Sequence, residues 1–264
     1  MISFTDEKTV QVNGYSLFPQ KLSLYSYQYL FSDLDQIVRS YLVTIFVTIV
    51  GTLIGLIITS ALAYPLSRPN LPFRKGFTFF VFFTLLFNGG LVPWYITYTN
   101  VVDLRNSIFA LIVPNLLLSG FNVLIMRTFF ISSIPQSLIE AAYLDGAGEL
   151  RIFSQIVVPL SKPVIATIGL FSTLAYWNDW YNSMVFLTTS NNFSIQFYLN
   201  RVLMSIQYLT QGNINQNASN ALNVLPEQTV RMAMAIIGVG PIIFAYPFFQ
   251  KYFIKGLTIG AIKG

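Results

Sequence analysis

The chain has 264 residues, of which 54% are hydrophobic, 16% aromatic and 9% charged, with a formal net charge of +5 and a mean hydropathy of +0.61. Soluble domains carry about a quarter charged residues, so this composition excludes an ordinary soluble globule and points to a membrane protein. Cysteine and histidine are both absent, which excludes disulfides, thiolate metal sites, and histidine ligands or general bases.

The opening "MISFTDEKTVQVNGYSLFPQ" is polar and lacks a basic start followed by an apolar run, so it does not read as a signal peptide. Uncharged stretches then run over 40–67, 76–102, 106–126, 163–178 and 232–250. A bilayer core needs roughly 20 helical residues. Five transmembrane helices are therefore expected, at about 41–64, 77–99, 106–128, 161–185 and 231–252. The fourth reaches full length by running on through "WNDWYNSMVFL", which leaves Asp179 near an interface. Helices are required because lipid offers the backbone no hydrogen-bond partners, and the apolar runs lack the alternation of a membrane barrel. The expected fold class is all-α, a polytopic membrane helical bundle forming one domain over 1–264.

Within these spans "FNGGLVPWY" reads in two ways. Gly89 and Gly90 permit bending and Pro93 removes a backbone hydrogen bond, as in a gate or hinge. Glycine and proline are also ordinary packing residues of membrane helices. Prolines 114, 159, 163, 241 and 247 predict kinks. The middle of every expected span lacks an ionisable residue, whereas ion-coupled carriers place carboxylates or histidines there. Uphill transport would then draw its energy through another subunit.

Orientation follows the lysines and arginines. Arg68, Arg74 and Lys75, then Arg127, Arg151 and Lys162, then Lys251, Lys255 and Lys263 fall in segments that five spans place on one side, the cytoplasm. These loops account for the basic excess without a nucleic-acid partner. Residues 1–40, a short turn around Asp103 and a long loop over about 187–229 fall outside, and the N-terminus is external. The Asn/Gln-rich "QYLTQGNINQNASNALN" in that loop reads as irregular.

Between the third and fourth spans lies the polar passage 133–159, with Ser133 as a candidate N-cap, Pro135 at a helix start and good helix formers in "QSLIEAAYL". Gly146 permits a sharp turn, and "AGELRIFSQIVV" resumes helix until Pro159. Ala141, Ala142 and Gly146 leave a low surface for close packing of another protein, while Glu140 offers charge to a basic partner.

The spacing of Glu140, Ala141, Ala142, Asp145, Gly146, Ile156 and Pro159 resembles the EAA loop by which permease subunits of bacterial ABC importers dock on their ATPase. The MalG-type carbohydrate permeases are the most similar version, with Val158 standing where leucine is usual. "RSYLVTIFVTIVGT", "NGGLVPWYI", "YWNDWYNSMVFL" and the ending "YPFFQKYFIKGLTIGAIKG" extend the resemblance over nearly the whole chain. That family usually has six spans, so the resemblance implies that a first helix is missing here.

The resemblance further implies a bacterial cytoplasmic-membrane, multi-pass permease. Its partners would be a second, different permease subunit, two ATPase subunits and an extracellular solute-binding protein that delivers an oligosaccharide or polysaccharide fragment. ATP and Mg would sit on the ATPase subunits, with no cofactor on this chain. Residues 136–157 would form the coupling helix region, and the tail from Lys255 to Gly264 would reach the same interface. Trp177, Asn178, Asp179, Trp180 and Tyr181 could contact sugar, because aromatic faces stack on sugar rings and amides or carboxylates bind hydroxyls. They could equally form an interfacial belt. Rival readings are an ABC permease for a non-sugar solute, an ATP-independent channel or carrier, and a membrane enzyme. The last would need convergent reactive groups that the few, mostly loop-borne acids do not offer.

Overall fold

A computed structural model describes residues 1–16, 18–211, 226–244 and 247. The far end of the expected fifth span, the segment 212–225 and the tail from Lys255 to Gly264 lie outside the described residues. Among the described residues the structure is helical, with one isolated bridge between Thr5 and Leu22 and no strand.

In chain order the helices are α1 (Glu7–Asn13), α2 (Tyr25–Leu30), α3 (Leu34–Ser67), α4 (Arg74–Leu86), α5 (Leu91–Ile96) and α6 (Gly120–Ser133). They continue with α7 (Gln136–Leu144), α8 (Glu149–Ile152), α9 (Val158–Leu160), α10 (Lys162–Trp177), α11 (Tyr181–Phe186), α12 (Ile195–Gln211) and α13 (Glu227–Ile243). By length and composition, one described helical run, Tyr25–Ser67, is long and apolar enough to cross a membrane, and up to three are if each sharply bent pair counts as one span.

The sidedness of α3 shows what solvent it is built for. Leu42, Ile45, Phe46, Ile49, Leu53 and Ile57 are exposed, while Thr44, Thr48, Thr52, Thr59, Ser60 and Ala63 are buried. Large apolar side chains outside and small hydroxylated ones inside suit a helix between lipid and neighbouring helices, where small residues allow close approach. Two of the buried hydroxyls have partners across the packing: Thr44 Oγ1 donates to Ser40 O at 2.8 Å and accepts from Ile195 N at 2.8 Å, while Thr52 and Thr173 share a hydrogen bond at 3.4 Å; Thr48 Oγ1 is buried without one among the described residues.

The described chain forms two compact units. The first comprises Met1–Ile45 and Asn178–Phe244. Its core joins Leu30 and Ile37 to Ile195, Leu199 and Ile206 of α12 and to Val230, Ala233 and Ile237 of α13. The N-terminal segment is fastened there by Glu7, which is buried. Its carboxylate accepts from Gln228 N at 3.0 Å, Thr229 N at 2.9 Å and Thr229 Oγ1 at 2.7 Å. Orphan amides at the start of α13 are thereby satisfied by a residue more than two hundred positions away.

The second unit takes in Phe46–Trp177. Its core gathers Ala63, Tyr64 and Leu66 of α3, Val81 of α4, Val123, Met126 and Phe130 of α6, Ile139, Ile152 and Val157 of the 133–159 loop, and Ile168 of α10. Tyr176 lies so close to α3 that a Cβ at Gly51 would fall 2.4 Å from its ring, and its hydroxyl donates to Ile112 O at 2.8 Å.

Several expected elements take a different form. The second span is two pieces bent by 112°, Arg74–Leu86 and Leu91–Val101. The third is a short 3-10 turn at Ile108–Leu111 followed by helix only from Gly120, because Pro114 and left-handed Asn115 (φ 62°) break the run. The fourth stops at Trp177 and resumes at Tyr181. The passage 187–229, expected to be a long loop, is partly helical: α12 occupies Ile195–Gln211, with Ile195, Leu199 and Ile206 on one buried face. Ser133 ends α6 and is not an N-cap; Pro135 precedes α7 without a side-chain cap.

Candidate functional site

The 133–159 passage folds as a helix, a tight turn and a second helix. In α7, Ile139 turns into the core while Glu140 and Ala141 face out. The helix ends in a Schellman motif: Gly146 N donates to Tyr143 O at 3.0 Å and Ala147 N to Ala142 O at 2.9 Å. The motif places Gly146 at φ +79°, a left-handed conformation that disfavours any side chain. The chain then runs through α8, a π-helical turn at Phe153–Val157 and α9, and bends by 78° at Ser161 into α10.

Seven residues were expected to act together here. Glu140, Ala141, Asp145, Gly146 and Pro159 are exposed, and Ala142 and Ile156 are half-buried against the core. Glu140 has no ion-pair partner among the described residues, where the two ion pairs are Lys21–Asp6 and Arg231–Glu227. Two leucines flank the turn with 90% (Leu144) and 83% (Leu150) of their surface exposed. Both side chains project from the loop and are free to be covered by a partner. The sequence reading passed over them because a leucine next to a helical motif carries no local mark of exposure.

It also passed over Glu149. This carboxylate accepts hydrogen bonds from Tyr64 of α3 and Tyr143 of α7, one on each oxygen. The Arg68 guanidinium carbon lies 5.8 Å from the centroids of both tyrosine rings, and its Nη2 is 3.5 Å from the Tyr143 hydroxyl. Burial alone would raise the Glu149 pKa, but the two phenols and Arg68 outweigh it and hold the carboxyl below its ordinary value. The hydrogen bond to Glu149, then burial, pushes the Tyr143 phenol up.

The other candidates separate. Trp177 is 4% exposed and packed inside. Asp179 Oδ1 accepts from Tyr181 N at 3.1 Å and Asn182 N at 3.2 Å, satisfying amides at the start of α11, and its carbonyl accepts from Ser194 Oγ at 2.8 Å. These bonds tie the helix break together. Asn178, Trp180 and Tyr181 are exposed, and the last two rings meet edge to face at 6.1 Å. At the other break, Gly90 takes φ +84° with its N–H on Asn88 Oδ1 at 2.9 Å, Gly89 precedes it, and Pro93 sits in the first turn of α5.

Residues 51–259 match the family described as "Binding-protein-dependent transport system inner membrane component". The chain belongs to this family. The permease is 38% identical over 262 residues to the Bacillus subtilis polygalacturonan/rhamnogalacturonan transport system permease protein YtcP, covering 99% of this chain and 89% of that protein. It is 37% identical over 263 residues to the B. subtilis protein LplC, covering 99% and 86%. Among solved structures, a chain from the crystal structure of a bacterial ABC transporter involved in the import of the acidic polysaccharide alginate superposes with a TM-score of 0.81 at 30% identity, covering 96% of this permease and 87% of that chain. The helical bundle is thus an ABC-importer permease fold, and the permease is an inner-membrane transport component rather than an enzyme.

Proposed function

We propose that this permease forms half of the membrane pathway of an ATP-driven importer for an oligosaccharide or polysaccharide fragment. A second, different permease subunit would supply the other half, and an extracellular solute-binding protein would deliver the cargo. Two separate ATPase subunits would carry ATP and Mg and do all the hydrolysis, in the cytoplasmic membrane of a bacterium. The saccharide reading rests on the similar proteins, named for polygalacturonan/rhamnogalacturonan transport and for alginate import.

The ATPase reading is supported by one observation: the 133–159 loop presents Glu140, which has no ion pair among the described residues, with the exposed Leu144 and Leu150 on a turn fixed by Gly146. Ala141 and Ala142 keep that face low, while Asp145, Ile156 and Pro159 shape its ends. Gly89, Gly90 and Pro93 are assigned to a hinge at the break before α5, and Asn178, Trp180 and Tyr181 to the exposed end of the fourth span, where sugar could stack. The same loop would serve a permease for a non-sugar solute, so cargo and motor need separate tests.

Co-purification of the wild-type permease and Glu140→Ala with candidate ATPase subunits of ABC importers tests the motor. The wild type is expected to retain ATPase and the variant to lose about tenfold, the effect of removing a charge-assisted hydrogen bond. Equal retention would remove Glu140 from the interface. Uptake of labelled oligogalacturonate against a labelled peptide by the assembled importer tests the cargo.

A further inference from the structure

The contact between the 133–159 loop and the rest of its unit has two layers. The inner one is apolar: Ile139, Ile152 and Val157 lie against Ala63, Tyr64 and Leu66, and the Tyr64 and Phe153 rings pack at 5.1 Å. Apolar contact is non-directional, so by itself it lets a loop roll or slide on the helix beneath. The outer layer is polar and directional. One carboxylate, Glu149, is gripped on one oxygen by Tyr64 at the end of α3 and on the other by Tyr143 at the end of α7. Arg68, one turn beyond Tyr64, lies over both rings. Three side chains from three helices, with Arg68 just past the end of α3, therefore meet at a single point beside the exposed turn.

We propose that Glu149, Tyr64, Tyr143 and Arg68 form a joint that makes the docking loop and the end of α3 move as one body, so that displacement of the loop by its partner is delivered to α3. The proposal rests on the reading of the loop as an ATPase dock. Three features of the joint fit transmission better than mere stability. It lies at the rim, outside the apolar core that already holds the loop in place. It uses both carboxylate oxygens, which fixes the orientation of α7 to α8 as well as of α8 to α3. It also ends on α3, a long regular helix, and not on a second loop that would absorb the displacement. The joint residues are positioning residues: none of them has to touch the ATPase or the cargo.

Tyr64→Phe is the decisive variant, because Tyr64 lies outside the loop and loses only its hydroxyl while the buried ring remains. The assembled importer, with its ATPase, second permease and binding protein, is reconstituted in lipid vesicles. Three quantities are read: ATPase retained per permease, hydrolysis with and without loaded binding protein, and cargo moved per ATP. In Tyr64→Phe, retention is expected to equal wild type while cargo per ATP falls about tenfold, the scale of losing a hydrogen bond to a charged group. Hydrolysis should lose its dependence on the binding protein. Adding Glu149→Gln should then cost less than it does alone, because the two groups act through one contact.

Unchanged cargo per ATP in Tyr64→Phe, or additive losses in the double variant, would overturn the joint while leaving the dock intact. Failure of the wild type to retain any ATPase would instead overturn the docking reading and the joint with it, so the two failures are told apart.

Discussion

At Glu149 the balance between burial and hydrogen bonding sets when the loop is locked. The folded-state pKa lies below the ordinary value, so this carboxylate contributes stability above its unfolded pKa, and the contribution is lost as pH falls through the depressed one. Tyr64, Tyr143 and Arg68 are the groups that face it. Limited proteolysis at the loop should therefore be flat across neutral and mildly acidic pH and accelerate only below the ordinary carboxylate range. In Glu149→Gln the acid-dependent step should be gone, and an identical acid response in that variant would assign it to another residue. Nothing local in the sequence announces this site. Tyr64 and Glu149 are separated by 85 positions, and a tyrosine at the end of an apolar span reads first as an interfacial anchor. Gly146 was legible for the opposite reason, since a glycine after a run of helix formers marks a left-handed cap from sequence alone.

At the scale of elements, hydropathy located the long apolar passages but not their breaks, so that five expected spans correspond to between one and three helices or bent pairs long and apolar enough to cross a membrane among the described residues. Length and apolarity are blind to a bend when the freed backbone groups are satisfied nearby, as Asn88 does for Gly90 and Asp179 does at the start of α11. The α12 helix did leave a signal. Ile195, Leu199, Val202 and Ile206 recur at helical spacing, but the Asn/Gln-rich residues that follow obscured them. The clasp of Glu7 on α13 left no signal, because a helix start capped from more than two hundred residues away has no sequence pattern. Glu7→Ala strips partners from two amides and a buried hydroxyl at Gln228 and Thr229. A loss of about 1–3 kcal/mol is expected. Hydrogen exchange should speed up at the first turn of α13 and through 1–13, while α7 keeps its wild-type rate. Uniform acceleration along the chain would mean that Glu7 supports global rather than local stability.

For the whole molecule, function depends on which side of the membrane each feature faces, and the distribution of basic residues predicts the loop in the cytoplasm and the N-terminal segment outside. A chain without cysteine makes the assignment directly measurable with single introduced thiols. The choice of position follows from packing: Ser3 is buried beneath Ser26 and Tyr27 and would label poorly on either side, whereas Val12 is 82% exposed. In intact cells, or spheroplasts where an outer membrane intervenes, Val12→Cys should react with a membrane-impermeant maleimide, and Leu144→Cys should react only after permeabilisation. Assembly adds a second expectation for the same reagent. If Leu144 enters a pocket on the ATPase, its labelling in permeabilised cells should fall several-fold when the ATPase is co-expressed, while Val12 stays unchanged. Protection of Val12 in intact cells would invert the topology and place the loop with the binding protein, a position from which it could not meet a cytoplasmic motor.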